Sequence, residues 1–279
     1  MKKQWIAIFI CLSLLATGLL GLTGCAAKAE PAQDEPAQTE TVPETEEAAP
    51  AEEEPAPAEK PEAEDTASTV TLTDMTGRKI TLDAPAERVV ALTAADCEIL
   101  YALGAGDLLV GRGKYCDYPE SISALPVVQS GAETNIEEIL ALDPQVVLMS
   151  DMSQTEEQAK LLEQNGVKVV ISDANDIAGV YTAIRMIGAL MAKDDAAEAL
   201  IGDMQATFDE IAAKSEKSGK TIYFEVSPLQ WGLWTAGSGT FMDELATMCG
   251  VTNAFADISG WQSVSEEQVI ERNPDYIVS

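Results

Sequence analysis

Two tyrosines, two cations and a proline are packed into Gly111-Arg112-Gly113-Lys114-Tyr115-Cys116-Asp117-Tyr118-Pro119, directly after an expected strand. Loops at strand C-terminal ends are where α/β folds hold ligands, so Arg112, Lys114, Tyr115 and Tyr118 are candidate binding residues. The competing reading is a loop whose tyrosines plug the domain edge. Trp231, Trp234 and Trp261 stand in a chain otherwise poor in aromatics, beside Gly232, Gly237, Gly239 and Gly260. Read as loop residues they suit an apolar, planar ligand, with core packing as the alternative. Glu137 and Glu267 form a third set. Each falls at the second position of an expected helix capped by Asn135 or Ser265, and Glu138 and Gln268 can complete capping boxes. The helix dipole favours such a carboxylate by about 0.3–1 kcal/mol. Two equivalent, outward-facing carboxylates would instead make a matched pair of docking points.

Absent residues narrow the chemistry further. The chain has no histidine, so Ser-His and Cys-His nucleophile pairs and His-rich metal sites are excluded. There is no Gly-x-x-x-x-Gly-Lys phosphate loop and no Gly-x-Gly-x-x-Gly after a strand. No catalytic residue, metal site or cofactor is expected, and the chain is read as a non-enzyme. Carboxylate-only hydrolysis survives in principle, but no spacing favours it. Cys97, Cys116 and Cys249 remain in the folded part, an odd number, so one thiol is free or has its partner beyond Ser279. No Cys-x-x-Cys pair exists, which argues against a zinc or redox motif.

The elements that must position these residues alternate β-branched runs with helical ones. A hairpin is expected at Val70 to Thr73 and Lys79 to Leu82 around Thr76-Gly77, then strands at Arg88 to Leu92, Leu108 to Gly111, Gln145 to Met149 and Val167 to Ile171. Helices fall at Ala94 to Leu103, Asn135 to Leu142 and Gln154 to Asn165. The alternation predicts a parallel, helix-covered sheet. Asp176 to Lys217 lacks proline and carries apolar residues at helical spacing, as one long helix or two consecutive ones. Alternation resumes with a strand at Thr221 to Val226, helices at Phe241 to Met248 and Glu266 to Arg272, and a strand at Tyr276 to Val278. The second half echoes the first: Glu137, Pro144 and Val147 align with Glu267, Pro274 and Ile277, and Glu98 and Gly104 with Glu244 and Gly250. Two similar lobes with a cleft between them are therefore expected, and ligands favour such interfaces.

Ahead of this region, Met1-Lys2-Lys3, an apolar run from Trp5 to Leu22 and Leu22-Thr23-Gly24-Cys25 have the layout of a secretory signal. The Leu-x-Gly-Cys ending resembles the lipobox of bacterial lipoproteins. It implies cleavage before Cys25 and lipid on that thiol, against the alternative of an uncleaved membrane helix. Residues 26 to 68 are Ala, Pro, Glu and Thr with fourteen acids and two lysines. Such a segment is expected to be a disordered tether. The formal charge is −30. Setting aside the tether and the two signal lysines leaves about −20 on residues 69–279, with no basic stripe, so nucleic acid is not an expected partner. The expected organisation is a signal at 1–24, lipidated Cys25 with tether to 68, a first lobe at 69–175, a connecting helical region at 176–217 and a second lobe at 218–279.

Three motifs in order then carry a family resemblance: Thr73-Asp74-Met75-Thr76-Gly77-Arg78 with Pro85-Ala86-Glu87-Arg88-Val89-Val90, then Tyr115-Cys116-Asp117-Tyr118-Pro119, then Asn135-Ile136-Glu137-Glu138-Ile139-Leu140-Ala141-Leu142-Asp143-Pro144. Residues 70–279 resemble the substrate-binding lipoproteins of ABC importers for iron chelates and cobalamin, the periplasmic-binding class with a single connecting helix. The resemblance implies two α/β lobes joined by a helix near residues 176–193, with the ligand between them. It implies a membrane-anchored, extracytoplasmic protein that delivers a ferric siderophore, haem or a corrinoid to a permease. Tyr118 and Trp261 match aromatic positions lining the cleft in cobalamin-binding relatives, while Arg112 and Lys114 could meet an anionic ferric chelate. Glu137 and Glu267 match the lobe-top glutamates that engage the importer's membrane subunits. The family's second lobe normally continues past the strand at which this chain stops, which implies a fragment, and the lack of histidine weakens haem as the ligand. A lipid-anchored surface hydrolase and a sensory or adhesion domain are the alternatives of a different class.

Overall fold

The computed structural model describes residues 69–151 and 154–279. The signal segment, Cys25 and the acidic tether lie outside the described residues. The chain opens with the expected hairpin, β1 (Val70–Thr73) paired antiparallel with β2 (Lys79–Leu82). Its turn needs Gly77, which sits at φ 84°. Asp74, nearly fully buried, accepts hydrogen bonds from the backbone N–H of Thr76, Arg78 and Ile171 and from the Thr76 hydroxyl and Arg78 guanidinium. One carboxylate thus shapes the turn and pins it to the sheet of the first lobe.

That sheet has the parallel order β5-β4-β3-β6-β7, built from β3 (Val89–Ala91), β4 (Leu109–Gly113), β5 (Val127–Val128), β6 (Val146–Met149) and β7 (Lys168–Ile171). Its strands read as continuous apolar runs because both faces are covered. Val89, Ala91, Val146 and Leu148 pack with α1 (Ala94–Ala102) and α4 (Ile177–Leu190). Val90, Val147 and Met149 point the other way, to α2 (Ile136–Leu140) and α3 (Glu156–Gln164). The β4 start expected at Leu108 is instead the end of a 3₁₀ turn over Gly106–Leu108.

The region 176–217 resolves as two helices, α4 and α5 (Asp194–Lys214), separated where Ala192 takes φ 52° and the Gly188 carbonyl accepts from both Met191 and Lys193. A Cβ on Gly188 would lie 2.8 Å from the Ala197 Cβ, so glycine lets the two helices close-pack. α4 is committed to the first lobe through Ile184, Ile187 and Leu190. The connecting element is therefore α5 rather than the segment near 176–193. Ala197 and Ile201 root α5 in the first core, and its far end leads to the second lobe.

The second lobe repeats the first in order. Its parallel sheet β10-β8-β12 comprises β8 (Thr221–Phe224), β10 (Thr252–Asn253) and β12 (Tyr276–Val278), matching β4-β3-β6. α6 (Phe241–Met248) stands for α1, and α7 (Glu266–Arg272) for α2. The echo extends to backbone detail. Gly104 and Gly250 follow α1 and α6 at φ 67° and 73°, while Asp143 and Asn273, at φ 48° and 44°, precede Pro144 and Pro274. A left-handed residue followed by proline stops each helix and aims the chain into its strand. The antiparallel pair β9 (Leu233–Ala236) and β11 (Trp261–Val264) has no counterpart among the described residues of the first lobe. It corrects the loop assignment of two tryptophans, since Trp234 and Trp261 lie on these strands, and Trp231 ends a 3₁₀ turn.

Candidate functional site

The loop after β4 begins with a close approach. A Cβ on Gly113 would lie 2.3 Å from the Leu92 carbonyl oxygen, so only glycine lets β4 leave the sheet beside the end of β3. Beyond it, Cys116 N–H closes a turn onto the Gly113 carbonyl, and a cis Tyr118–Pro119 bond leads into a 3₁₀ turn over Glu120–Ala124. Tyr115 and Tyr118 are left 75% and 66% exposed, which does not fit side chains that plug the domain edge. The Lys114 ammonium lies 5.5 Å from the Tyr115 ring centre. Arg112 is engaged differently: its guanidinium donates to the carbonyls of Ile122 (3.0 Å) and Cys116 (2.6 Å). It holds the loop's shape from below.

At the ends of β3, β6 and β7 lies a group of carboxyls that spacing did not single out. Asp96 is fully buried on the first turn of α1 and accepts from the Thr93 hydroxyl at 2.6 Å. Burial pushes its pKa up to about 7, with the Asp173 charge adding to the rise and the Thr93 and Ser172 hydroxyls opposing it. Asp173 accepts from the Ser150 hydroxyl and the Asp151 N–H, both at 2.6 Å. Its carboxylate, hydrogen-bonded to that of Asp151, pushes Asp151 up to about 6. The available signal was positional, since Asp151 and Asp173 each follow an expected strand by two residues.

The two lobes meet at Asn175. Its carbonyl accepts from Phe241 N–H at 2.8 Å and its side chain from the Trp261 indole at 3.3 Å, while Ile177 N–H donates to Glu244 at 2.8 Å. Phe241 and Trp261 pack edge to face with ring centres 5.6 Å apart. Trp261, expected to line the cleft, is thus also a fastening of the junction. A cavity of about 320 Å³ opens beside it, lined by Thr93, Ser150, Ser172, Asp173 and Phe241, so both lobes contribute. In the second lobe Trp231 is 78% and Trp234 44% exposed. A larger groove, about 660 Å³, runs between α4, α5 and α6. It is walled by helix flanks and includes none of the loop aromatics, so the strand ends remain the better site.

Glu137 and Glu267 are both exposed at the second position of α2 and α7. The capping box forms in full at Ser265 and Gln268. It does not at Asn135, because the Glu138 carboxylate accepts from Gln129 N–H instead. The two glutamates still occupy equivalent positions in the repeat.

Paired α/β lobes, a connecting helix and a cleft at the strand ends are the features a family assignment must account for. The family described as periplasmic binding protein matches residues 89–279. The chain belongs to that family. Among individual periplasmic binding proteins, it is 32% identical over 217 residues to the uncharacterized ABC transporter substrate-binding lipoprotein YvrC of Bacillus subtilis, covering 75% of this chain and 68% of that one. It is 32% identical over 198 residues to a vitamin B12-binding protein of Salmonella choleraesuis, covering 69% and 72%. A solved possible iron-binding, periplasmic solute-binding protein of Staphylococcus epidermidis superposes with a TM-score of 0.58 at 30% identity, covering 69% of this chain and 76% of that one. The assignment agrees with the resemblance carried by the motifs. Among the described residues no helix is long and apolar enough to cross a membrane, and no three His, Cys, Asp or Glu side chains are grouped to hold a metal ion.

Proposed function

We propose that this periplasmic binding protein is the extracytoplasmic capture component of an ABC importer, tethered by lipid on Cys25, and that its cargo is a corrinoid. Exposed rings on both lobes, Tyr115 and Tyr118 on one and Trp231 and Trp234 on the other, suit a large, partly apolar ligand. The observation that favours a corrinoid over a carboxylate-rich ferric chelate or haem is electrostatic. Asp173 lines the cavity at the strand ends with Asp151 beside it, while the Arg112 guanidinium is spent on backbone carbonyls. An amide-bearing ligand can donate hydrogen bonds to carboxylates, whereas an anionic one is repelled. The 32% identity to a vitamin B12-binding protein supports the same reading. Glu137 and Glu267, one on each lobe, are proposed to dock the permease. No feature of the site favours a hydrolase, a sensor or an adhesion domain.

The test is calorimetric titration of the full chain with cobalamin, a neutral ferric hydroxamate, ferric citrate and haem, with tryptophan fluorescence followed in parallel. Saturable one-to-one binding of cobalamin, with loss of tryptophan emission, is expected. Tight binding of ferric citrate or haem with none of cobalamin would overturn the ligand assignment.

A further inference from the structure

Cys97 and Cys116 are the two cysteines of the first lobe, and they meet. Cys97 lies on α1 and Cys116 in the loop after β4, yet their sulfurs sit 3.8 and 3.9 Å from one acceptor, the Ala91 carbonyl of β3. The two thiols are close enough to perturb each other's ionisation, with the Cys116 side chain pushing the Cys97 thiol up. The side chains are 0% and 1% exposed, whereas Cys249 is exposed on the other lobe. Two thiols buried against each other are stable in a reducing compartment but not in an oxidising one.

We propose that Cys97 and Cys116 form a disulfide in the mature protein, with Cys249 outside the pair. The inference rests on the export reading above. The partner reactant is a protein or small-molecule disulfide. One thiolate attacks a sulfur of that disulfide and displaces a thiolate, and the second thiolate attacks the resulting mixed disulfide. This closes the Cys97 Sγ–Cys116 Sγ bond and releases the reactant as two thiols, with two electrons and two protons leaving the chain. Burial of both sulfurs shuts out a bulky reactant, so exchange occurs before the loop docks, and the finished bond resists reductant until the lobe unfolds. The consequence is functional. The bond fastens the loop between Gly113 and Pro119 to α1 directly beside Tyr115, so the tyrosines project from a braced platform. A braced site spends less binding free energy on ordering itself.

Peptide mapping without reductant tests the pairing on the full chain, extracted from cell membranes and denatured in an alkylating agent. Trypsin cuts after Arg112 and Lys114, so residues 89–112 and 115–160 separate unless a disulfide joins them. A linked species two hydrogens lighter than the two thiol peptides combined is expected. Chain reduced, unfolded and refolded in a glutathione redox buffer forms the second arm. A link in refolded but not in cell-derived protein sinks the export reading and leaves the pairing standing. A link in neither, or one that includes Cys249, overturns the pairing. Hydrogen exchange supplies the functional readout. Residues 113–118 should exchange several-fold faster in the C97S/C116S variant, with the second lobe unchanged, and equal rates would overturn the bracing role.

Discussion

Replacing Asp96 by Asn removes a carboxylate that the fold keeps dry, and the size of the effect follows from its titration. The unfolded-chain value is 3.8 and the folded value about 7. Below pH 3.8 both states hold the proton and Asp96 does not bias folding. Between about 4 and 7 the unfolded chain releases its proton while the folded chain retains it, so stability falls as pH rises. Above 7 the loss is complete. The span of roughly three pH units, at 1.36 kcal/mol each, amounts to a loss on the order of 4 kcal/mol. Charged and titratable neighbours include Asp173, Cys97 and Cys116. Asparagine keeps the shape and does not titrate. The D96N variant should therefore gain on the parent as pH rises from 4.5 to 8, by on the order of 3 kcal/mol. Urea unfolding of both proteins at four pH values measures this, and taking the difference cancels the many other carboxylates. A parent-to-variant difference that is flat across this window would refute the assignment of a raised pKa to Asp96.

Asp74→Ala strips three backbone N–H groups and an arginine of their shared acceptor, so a loss of about 3–5 kcal/mol is expected in urea unfolding, with the hairpin exchanging first. Glu137→Ala combined with Glu267→Ala should abolish uptake while leaving ligand affinity unchanged in titration, and weakened binding by the double variant would instead move these carboxylates into the cleft. Cys25→Ser should release the protein from membranes on fractionation, and unchanged retention would restore the uncleaved-helix reading.

The parallel first lobe was readable because its strands are doubly buried, so Val89–Ala91 and Val146–Met149 appear as plain apolar runs between helical stretches. The repeat was readable for a related reason. Asp143-Pro144 and Asn273-Pro274 mark a backbone event, a left-handed stop before a strand, that few residue types satisfy. β9 and β11 were not legible, because their partners lie more than twenty residues apart and β11 has mixed burial. β5 and β10 are too short for any period to show. Tyr115 and Tyr118 were singled out from their company in a glycine-opened loop, and the structure leaves both exposed. Arg112 looked identical to them in sequence, and only the Cys116 and Ile122 carbonyls it binds assign it to loop support. Asp96 was missed because its role depends on tertiary burial.

The double attachment of the lobes has a kinetic meaning. α5, at 21 residues a rod of about 31 Å, is rooted in the first core by Ala197 and Ile201, while Asn175 fastens Phe241 and Trp261 from another point in the chain. A body held by a strut and a separate latch resists swinging open. Capture should then follow single-exponential association with a rate linear in ligand concentration, as for a socket that is always set. On the proposed importer reading, release would need leverage from outside, as when a permease grips both lobes together.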